Sequence, residues 1–152
     1  RGGEIMYDHA MKMQQKYPGI KIVCMGDMND NPTDPSMAEY MHGKEHRSEV
    51  TDKDFFSPFT SMLKAGFGSL AYQGVWSIYD LILVNNALAN ASEGTFEIRQ
   101  LHKKGYYGRV FNPKFLTNQQ GQYKGTPFRT FSNGSFIGGY SDHYPTYIVI
   151  SK

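Results

Sequence analysis

The sequence predicts a layered α/β (α+β) fold, and three stretches carry this prediction. Apolar residues recur at spacings of three and four between positions 4 and 17, the period of an amphipathic helix, and Pro18-Gly19 ends it. A short, partly β-branched apolar run at 20–25 follows and predicts a buried strand. A second apolar run, 81–84, predicts another strand. A helix followed by strands is typical of a layered architecture.

The rest of the pattern predicts shorter elements. Asp34 is a good N-cap before Pro35, which predicts a short helix ending near position 41. The charged stretch 42–56 predicts an irregular surface loop. Two aromatic-rich stretches, 110–117 and 123–131, predict a β-hairpin. A helix is also expected at 57–65, and strands at 95–101 and 147–150.

Composition predicts one ordered domain. The chain has 152 residues, of which 39% are hydrophobic, enough for a real core and too apolar for disorder. No apolar run approaches the roughly 20 residues of a membrane-spanning helix. The single cysteine, Cys24, excludes an internal disulfide and predicts an inert buried thiol. The net charge of +2 is too small to indicate nucleic-acid binding by itself.

Charge is nevertheless unevenly distributed. The segment 27–54 is mostly acidic, whereas 99–129 contains no acid. Its basic residues are Arg99, Lys103, Lys104, Arg109, Lys114, Lys124 and Arg129. A solvated basic face is the simpler interpretation, and a surface for a phosphate or polyanion is the alternative.

Polar clusters occur where predicted strands begin or end. Asp142 and His143 are adjacent in a turn that follows two glycines and precedes the run 147–150, so both side chains can converge on one pocket. Asp27 and Asn29 follow the run 20–25, and Asp80 precedes the run 81–84. An isolated carboxylate is costly to bury, so Asp80 needs a partner.

These five residues suit the hydrolysis of a phosphate ester. Carboxylate oxygens are the ligands preferred by Mg²⁺ or Mn²⁺, and an aspartate can orient or deprotonate an attacking water. An asparagine can donate a hydrogen bond to a phosphoryl oxygen. Asp80 is expected to hold His143 in one tautomer and to favour its charged form, so that the imidazolium can contact the phosphate.

Three other interpretations are weaker. An EF-hand calcium loop starting at Asp27 is excluded because Pro32 replaces its glycine and Ala38 its bidentate glutamate. Ser141 lacks the G-x-S-x-G context of an acyl-transfer nucleophile. His42 and His46 lie four apart, but the stretch lacks helical periodicity, so both are expected to be solvated rather than metal ligands.

Three motifs resemble, in order, the C-terminal motifs of the endonuclease/exonuclease/phosphatase superfamily of DNase-I-like phosphoesterases. They are Gly-Asp-Met-Asn at 26–29, Trp76-x-x-x-Asp80 leading into 81–84, and Ser-Asp-His-Tyr-Pro at 141–145. The resemblance covers essentially the whole chain. It is strongest to bacterial members of unassigned substrate, in stretches similar to 68–72 and 127–130.

The resemblance implies a fold and a role for each residue. The fold would be a four-layer α/β/β/α sandwich, in which two β-sheets are flanked by helices. The implied roles are water activation by Asp27, phosphate binding by Asn29, pairing of Asp80 with the essential His143, metal coordination by Asp142 and lining of the substrate pocket by Trp76.

The resemblance also implies an N-terminal half. In the family that half carries an asparagine, a metal-binding glutamate and a further histidine, and nothing in this sequence matches them. Residues 1–152 are therefore expected to form the C-terminal part of one domain, inactive until another segment or chain supplies the other half. Alone, they would expose sheet edges and a large apolar face.

The sequence thus predicts a Mg²⁺- or Mn²⁺-dependent phosphoesterase that works by in-line attack of an activated water. Its substrate, a nucleic-acid phosphodiester or a small phosphorylated molecule, stays open. The alternative is a non-catalytic interaction module that retains the fold. The retained polar set argues against that alternative, because such groups are costly to keep without use.

Overall fold

The computed structural model describes residues 1–101 and 105–152. Lys103 and Lys104, two members of the basic stretch, lie outside these ranges. The described chain is a mixed α/β structure with one four-stranded sheet and several two-stranded sheets, which confirms the predicted α+β class. Within the same ranges, no helix has the length and apolarity needed to cross a membrane.

Short elements dominate the chain. The helices are α1 (Gly2–Lys16), α2 (Pro35–Ala38), α3 (Thr60–Lys64) and α4 (Asn86–Ala89), with 3₁₀ turns at Arg47–Glu49 and Lys114–Leu116. The strands are β1 (Val23–Asp27), β2 (Gly43–Lys44), β3 (Phe55–Phe56), β4 (Leu70–Tyr72), β5 (Val75–Ser77), β6 (Asp80–Asn85), β7 (Glu97–Ile98), β8 (Gly108–Val110), β9 (Phe131–Ser132), β10 (Ser135–Phe136), β11 (Thr146–Ile148) and β12 (Ile150–Ser151).

Strand β6 is the centre of the main sheet, whose order is β1-β6-β3-β2. Every residue of β6 after Asp80 is buried, as a continuous apolar run in a central strand predicts. Antiparallel β1 and β3 pair with its two edges, and β11 contacts it from a separate β8–β11 pair. The residue that opens β6, Asp80, is therefore attached to the best-packed strand of the domain.

Helix α1 matches the predicted helix and covers one side of the main sheet. Its Ala10 is buried in the principal core with Phe55, Leu81 and Leu83. Met6 and Tyr7 pack against the same core from the partly buried flank of the helix. Met6 and Met11 thus fill space between helix and sheet. Ile5 is 61% exposed and Tyr17 is 46% exposed, so the helix buries a different face from the one that the apolar spacing predicted.

Strand β1 differs from the prediction, because it is an edge strand and largely exposed. Val23 is 39% exposed and Met25 is 70% exposed. These two residues lie on one face of β1, and the described chain leaves that face uncovered beside β6. An apolar run on an open edge is a liability unless something else covers it. Cys24 on the other face is partly buried, and burial raises the pKa of its thiol.

Two further predictions were wrong. The stretch 42–56 contains strands β2 and β3 as well as a 3₁₀ turn, so it is not a simple loop. The predicted hairpin of two strands does not form, because β8 pairs with β11. The two stretches meet only over a few residues, through the Thr117–Pro127 bridge and the hydrogen bonds from the Phe128 N–H to the Leu116 carbonyl and from the Asn118 N–H to the Thr126 carbonyl. Pro113 precedes a 3₁₀ turn that interrupts the first of them. Local patterns cannot reveal such distant strand partners.

His42 is also less solvated than predicted. Its ring stacks on Tyr7 of α1, with centroids 4.3 Å apart, and its Nδ1 lies 3.9 Å from Asp54 Oδ1. His46 is exposed, as predicted, and precedes the 3₁₀ turn at Arg47–Glu49. His42 thus belongs to local packing, whereas His46 stays at the surface.

Asn85 fixes β6 against the segment that leads into β1. Its Oδ1 accepts a hydrogen bond from the Ile22 N–H at 2.9 Å. Its Nδ2 donates to the Ile20 carbonyl at 2.9 Å and to Gln14 Oε1 at 2.8 Å. The side chain is almost fully buried, so these polar groups depend on it for a hydrogen-bond partner.

Replacing Asn85 with alanine should therefore lower the free energy of unfolding by about 2 kcal/mol or more, since buried polar partners are left unpaired. Urea unfolding followed by circular dichroism measures this change. Asn86→Ala is the control, because Asn86 hydrogen-bonds Asp52 at the surface and should cost about 0.5 kcal/mol. Equal losses in the two variants would contradict the assigned role of Asn85.

Candidate active site

The pairing of β1 with β6 places two carboxylates side by side. Asp27 is directly opposite Asp80 in the antiparallel register, so both side chains point to the same face of the sheet. Like charges at directly opposed positions are unfavourable. Such an arrangement is typical of functional sites, where repulsion is offset by specific partners.

Asp80 contacts the predicted histidine. His143 Nδ1 lies 2.9 Å from Asp80 Oδ2, which confirms the expected contact, while its role stays a prediction. The Thr146 hydroxyl donates to the Asp80 backbone carbonyl at 2.7 Å, so β11 is tied to β6 just beyond the histidine. Both members of the pair are partly buried, which limits the screening of their interaction by water.

Ser69 is a third member of this cluster. Its hydroxyl donates to the same Asp80 Oδ2 at 2.6 Å. Its backbone carbonyl accepts the Tyr144 N–H at 2.6 Å, and its own N–H donates to the Ser77 carbonyl at 2.8 Å. Ser69 is fully buried. Apart from lying in a stretch that resembles the superfamily, it carried no signal in the sequence.

The loop after β1 is locked in place by its own side chains. The Asn29 N–H donates to Asp27 Oδ1 at 3.0 Å, and Asn29 has a positive φ of 53°. Asparagine tolerates this left-handed conformation better than most residues, which favours it here. Within the described ranges, its carboxamide makes no hydrogen bond, so it is available to a ligand.

Asn31 attaches this loop to the strand that leads into Asp80. Its Oδ1 accepts the Ile78 N–H at 3.0 Å, and the Met28 N–H donates to the Tyr79 carbonyl at 2.8 Å. Asn31 thus connects the two polar clusters.

Asp142 is exposed in the turn before His143. The His143 N–H donates to Ser141 Oγ at 3.1 Å, which shapes the turn. Over residues 1–101 and 105–152, the Asp142 carboxylate forms no ion pair, and no group of three or more acidic, histidine or cysteine side chains is arranged to hold a metal ion. Asp142 offers a suitable hard oxygen ligand, but these residues do not form a complete cation site.

Trp76 is positioned by close packing. Its indole stacks on Tyr144, with ring centroids 6.3 Å apart, and a Cβ added to Gly68 would lie 2.5 Å from the indole ring. The glycine is therefore needed for the ring to lie where it does. Burial raises the pKa of Tyr144, whose hydroxyl contacts the Thr117 hydroxyl and the Gly125 carbonyl at 2.9 Å. Trp76 also lines two cavities, of about 560 and 460 Å³.

Residues 3–152 match the model of the endonuclease/exonuclease/phosphatase family. The chain belongs to this family. The match spans all the elements described above and identifies a phosphoesterase- or nuclease-like fold of a hydrolase superfamily, whose members generally depend on a divalent metal. No curated protein and no solved structure gave a significant match.

The incomplete ligand set predicts weak metal binding by residues 1–152 alone. Calorimetric titration with Mn²⁺ should give a dissociation constant of roughly millimolar, because a lone carboxylate cannot supply the several oxygens that such ions require. Asp142→Asn should change this value little in the isolated chain. Micromolar binding that Asp142→Asn abolishes would show that these residues complete a site by themselves.

Proposed function

We propose that this chain carries part of the active site of a divalent-metal-dependent phosphoesterase, which hydrolyses phosphate esters by in-line attack of water. The observation that supports it best is the contact between His143 and Asp80, with Asp27 opposite Asp80 on the same sheet face. Family membership supports hydrolysis of a phosphate ester. Nucleic-acid phosphodiesters and small phosphorylated molecules both remain candidate substrates.

Each side chain has a proposed task. Asp27 orients and deprotonates the attacking water, since Asn29 occupies only one of its carboxylate oxygens. Asn29 donates a hydrogen bond from its free carboxamide to a phosphoryl oxygen. His143 uses Nδ1 to contact Asp80, which leaves Nε2 to donate to the charge that develops on the phosphoryl group.

A metal ion, Mg²⁺ or Mn²⁺, would neutralise charge on the phosphate oxygens when bound. Asp142 is the proposed ligand from this chain, because it is exposed beside His143 and has an uncommitted carboxylate among the described residues. The other ligands are proposed to come from a segment outside residues 1–152.

The uncovered face of β1 supports a larger domain. Val23 and Met25 lie on the same face as Asp27 and are exposed next to it. A second sheet packed there would bury both side chains and bring further ligands to the carboxylates. We therefore propose that residues 1–152 form about the C-terminal half of a four-layer α/β/β/α sandwich.

Ser69 is proposed as a positioning residue. Its hydroxyl shares Asp80 Oδ2 with His143, and its backbone holds Tyr144, the next residue after the histidine. It thus fixes both the carboxylate and the turn that carries the imidazole. Fixed geometry of this kind matters because small misplacements of reacting groups are costly to the rate.

Ser69→Ala should lower kcat about tenfold and leave KM within about twofold. The variant loses the fixed orientation of Asp80 and His143 but keeps the groups that bind the substrate. In alkaline buffer, nitrogen NMR of the neutral His143 ring should show the Nδ1–H tautomer in the unmodified chain and a mixture in Ser69→Ala. Ser69→Thr keeps a hydroxyl and should retain the single tautomer. An unchanged tautomer ratio in Ser69→Ala would remove the proposed role, whatever its activity.

His143→Ala should lower kcat for phosphoester hydrolysis by on the order of 10²-fold or more. The test uses the complete gene product at saturating Mg²⁺ or Mn²⁺ with a chromogenic phosphodiester and a phosphomonoester. His46→Ala is the matched control, since His46 is exposed and outside the cluster. Near-normal turnover of His143→Ala would refute the assignment.

The second candidate function is a non-catalytic interaction module. The incomplete ligand set among the described residues is the observation that favours it. Complete gene product that folds and binds a partner through the β1 face but hydrolyses no phosphate ester would establish this alternative.

A further inference from the structure

A cleft of about 460 Å³ lies beside Trp76, outside the carboxylate cluster. Three segments form it: the β4–β5 hairpin, the loop between Asn118 and Thr126, and the β9–β10 hairpin. Its volume lies in the range of small-ligand sites. Neither the proposed mechanism nor the packing of the core uses this space.

Aromatic rings dominate the walls of the cleft. Tyr72, Trp76, Tyr123 and Phe131 all line it. Tyr72 is 68% exposed and Phe131 is 59% exposed, so packing within the chain does not account for their apolar surface. Exposed aromatic residues that converge on one concavity are typical of a site that stacks on a planar or ring-shaped ligand.

The charge of the cleft favours an anion. Arg129 lines it, and its guanidinium has no hydrogen bond or ion pair to any part of the chain that the structure describes. None of the described lining residues is acidic. An unpaired guanidinium beside aromatic walls matches a ligand that joins a planar ring to an anionic group.

We propose that this cleft binds a planar aromatic ring that carries a phosphate, and that the ring belongs to the alcohol part of the substrate. The residues that line the cleft are the evidence for the ring site, whereas its assignment to the substrate rests on the proposed function. The Trp76 indole connects the two, because it stacks on Tyr144, which follows His143 directly.

The single tryptophan makes the proposal directly measurable. Trp76 is the only tryptophan in the chain, so fluorescence excited at a wavelength selective for indole reports on the two cavities that Trp76 lines. Variants of Arg129 and Phe131, which line only the cleft, assign the signal to it. Residues 1–152 are titrated, with chelator present, with phenyl phosphate, adenosine monophosphate, ribose 5-phosphate and inorganic phosphate. The two ring phosphates should give a saturable change, with dissociation constants at least about tenfold lower than the two ringless compounds, a difference of about 1.4 kcal/mol.

The two ring phosphates distinguish the sources of the ring. Tighter binding of adenosine monophosphate indicates a nucleotide-type alcohol, and tighter binding of phenyl phosphate indicates a small aryl alcohol. Binding of ribose 5-phosphate as tight as that of the ring phosphates would mean that the cleft holds sugar rather than a planar ring, and would overturn the proposal. So would the absence of any saturable signal.

Variants locate the binding. Arg129→Gln and Phe131→Leu should each weaken binding of the ring phosphates about tenfold. Phe136→Leu is the control, because Phe136 is 70% exposed and contacts Phe131 edge-on at 5.6 Å, yet does not line the cleft. All three positions are exposed, so circular dichroism should show intact folds. An equal loss in Phe136→Leu would overturn the assigned site.

These experiments distinguish a failure of the proposed function from a failure of the ring site. Ring phosphates that bind the cleft, together with a complete gene product that hydrolyses no phosphate ester, would leave the ring site standing and remove the phosphoesterase. Hydrolysis without ring-dependent binding would remove only the ring site.

Discussion

The antiparallel register of β1 on β6 is the constraint on which the candidate site depends. Five residue pairs, from Val23–Val84 to Asp27–Asp80, place the two carboxylates on one face. A slip of one residue would turn Asp27 to the opposite face. Asn85 opposes such a slip, since its buried carboxamide binds the Ile22 N–H at the far end of the pairing. Asn85 at one end of β6 thus helps to keep Asp27 aligned with Asp80 at the other end.

The repulsion between Asp27 and Asp80 is offset by hydrogen bonds to one oxygen of each carboxylate. The Asn29 N–H occupies Asp27 Oδ1, while Ser69 and His143 share Asp80 Oδ2. Among the described residues, the other oxygen of each carboxylate has no partner. These hydrogen bonds offset part of the unfavourable interaction between two like-charged side chains at opposed positions. Two fixed carboxylates with one free oxygen each can accept hydrogen bonds from an attacking water or another donor.

Local patterns predicted the parts of this structure that depend on local forces. The helical stretch of α1 and the apolar run of β6 follow from neighbouring residues. The contact of Asp80 with His143 was expected from the polar residues at the strand ends and from the resemblance. Ser69 was not predictable, because a buried serine becomes informative only when its distant partners are known. The exposure of β1 was missed for a related reason. Apolar residues predict that a surface will be covered, but not which segment covers it.

Packing around Tyr144 connects the carboxylate cluster to the neighbouring cleft. Tyr144 is held at three points: its N–H by Ser69, its ring by Trp76 and its hydroxyl by the Thr117–Gly125 segment. Burial raises the pKa of this hydroxyl above the usual tyrosine range, as its enclosed position predicts. The segment that ends at Gly125 leads into the cleft wall formed by Thr126 and Arg129. A ligand that moves Trp76 is therefore expected to act on Tyr144, the residue next to His143, since the two rings stack on each other.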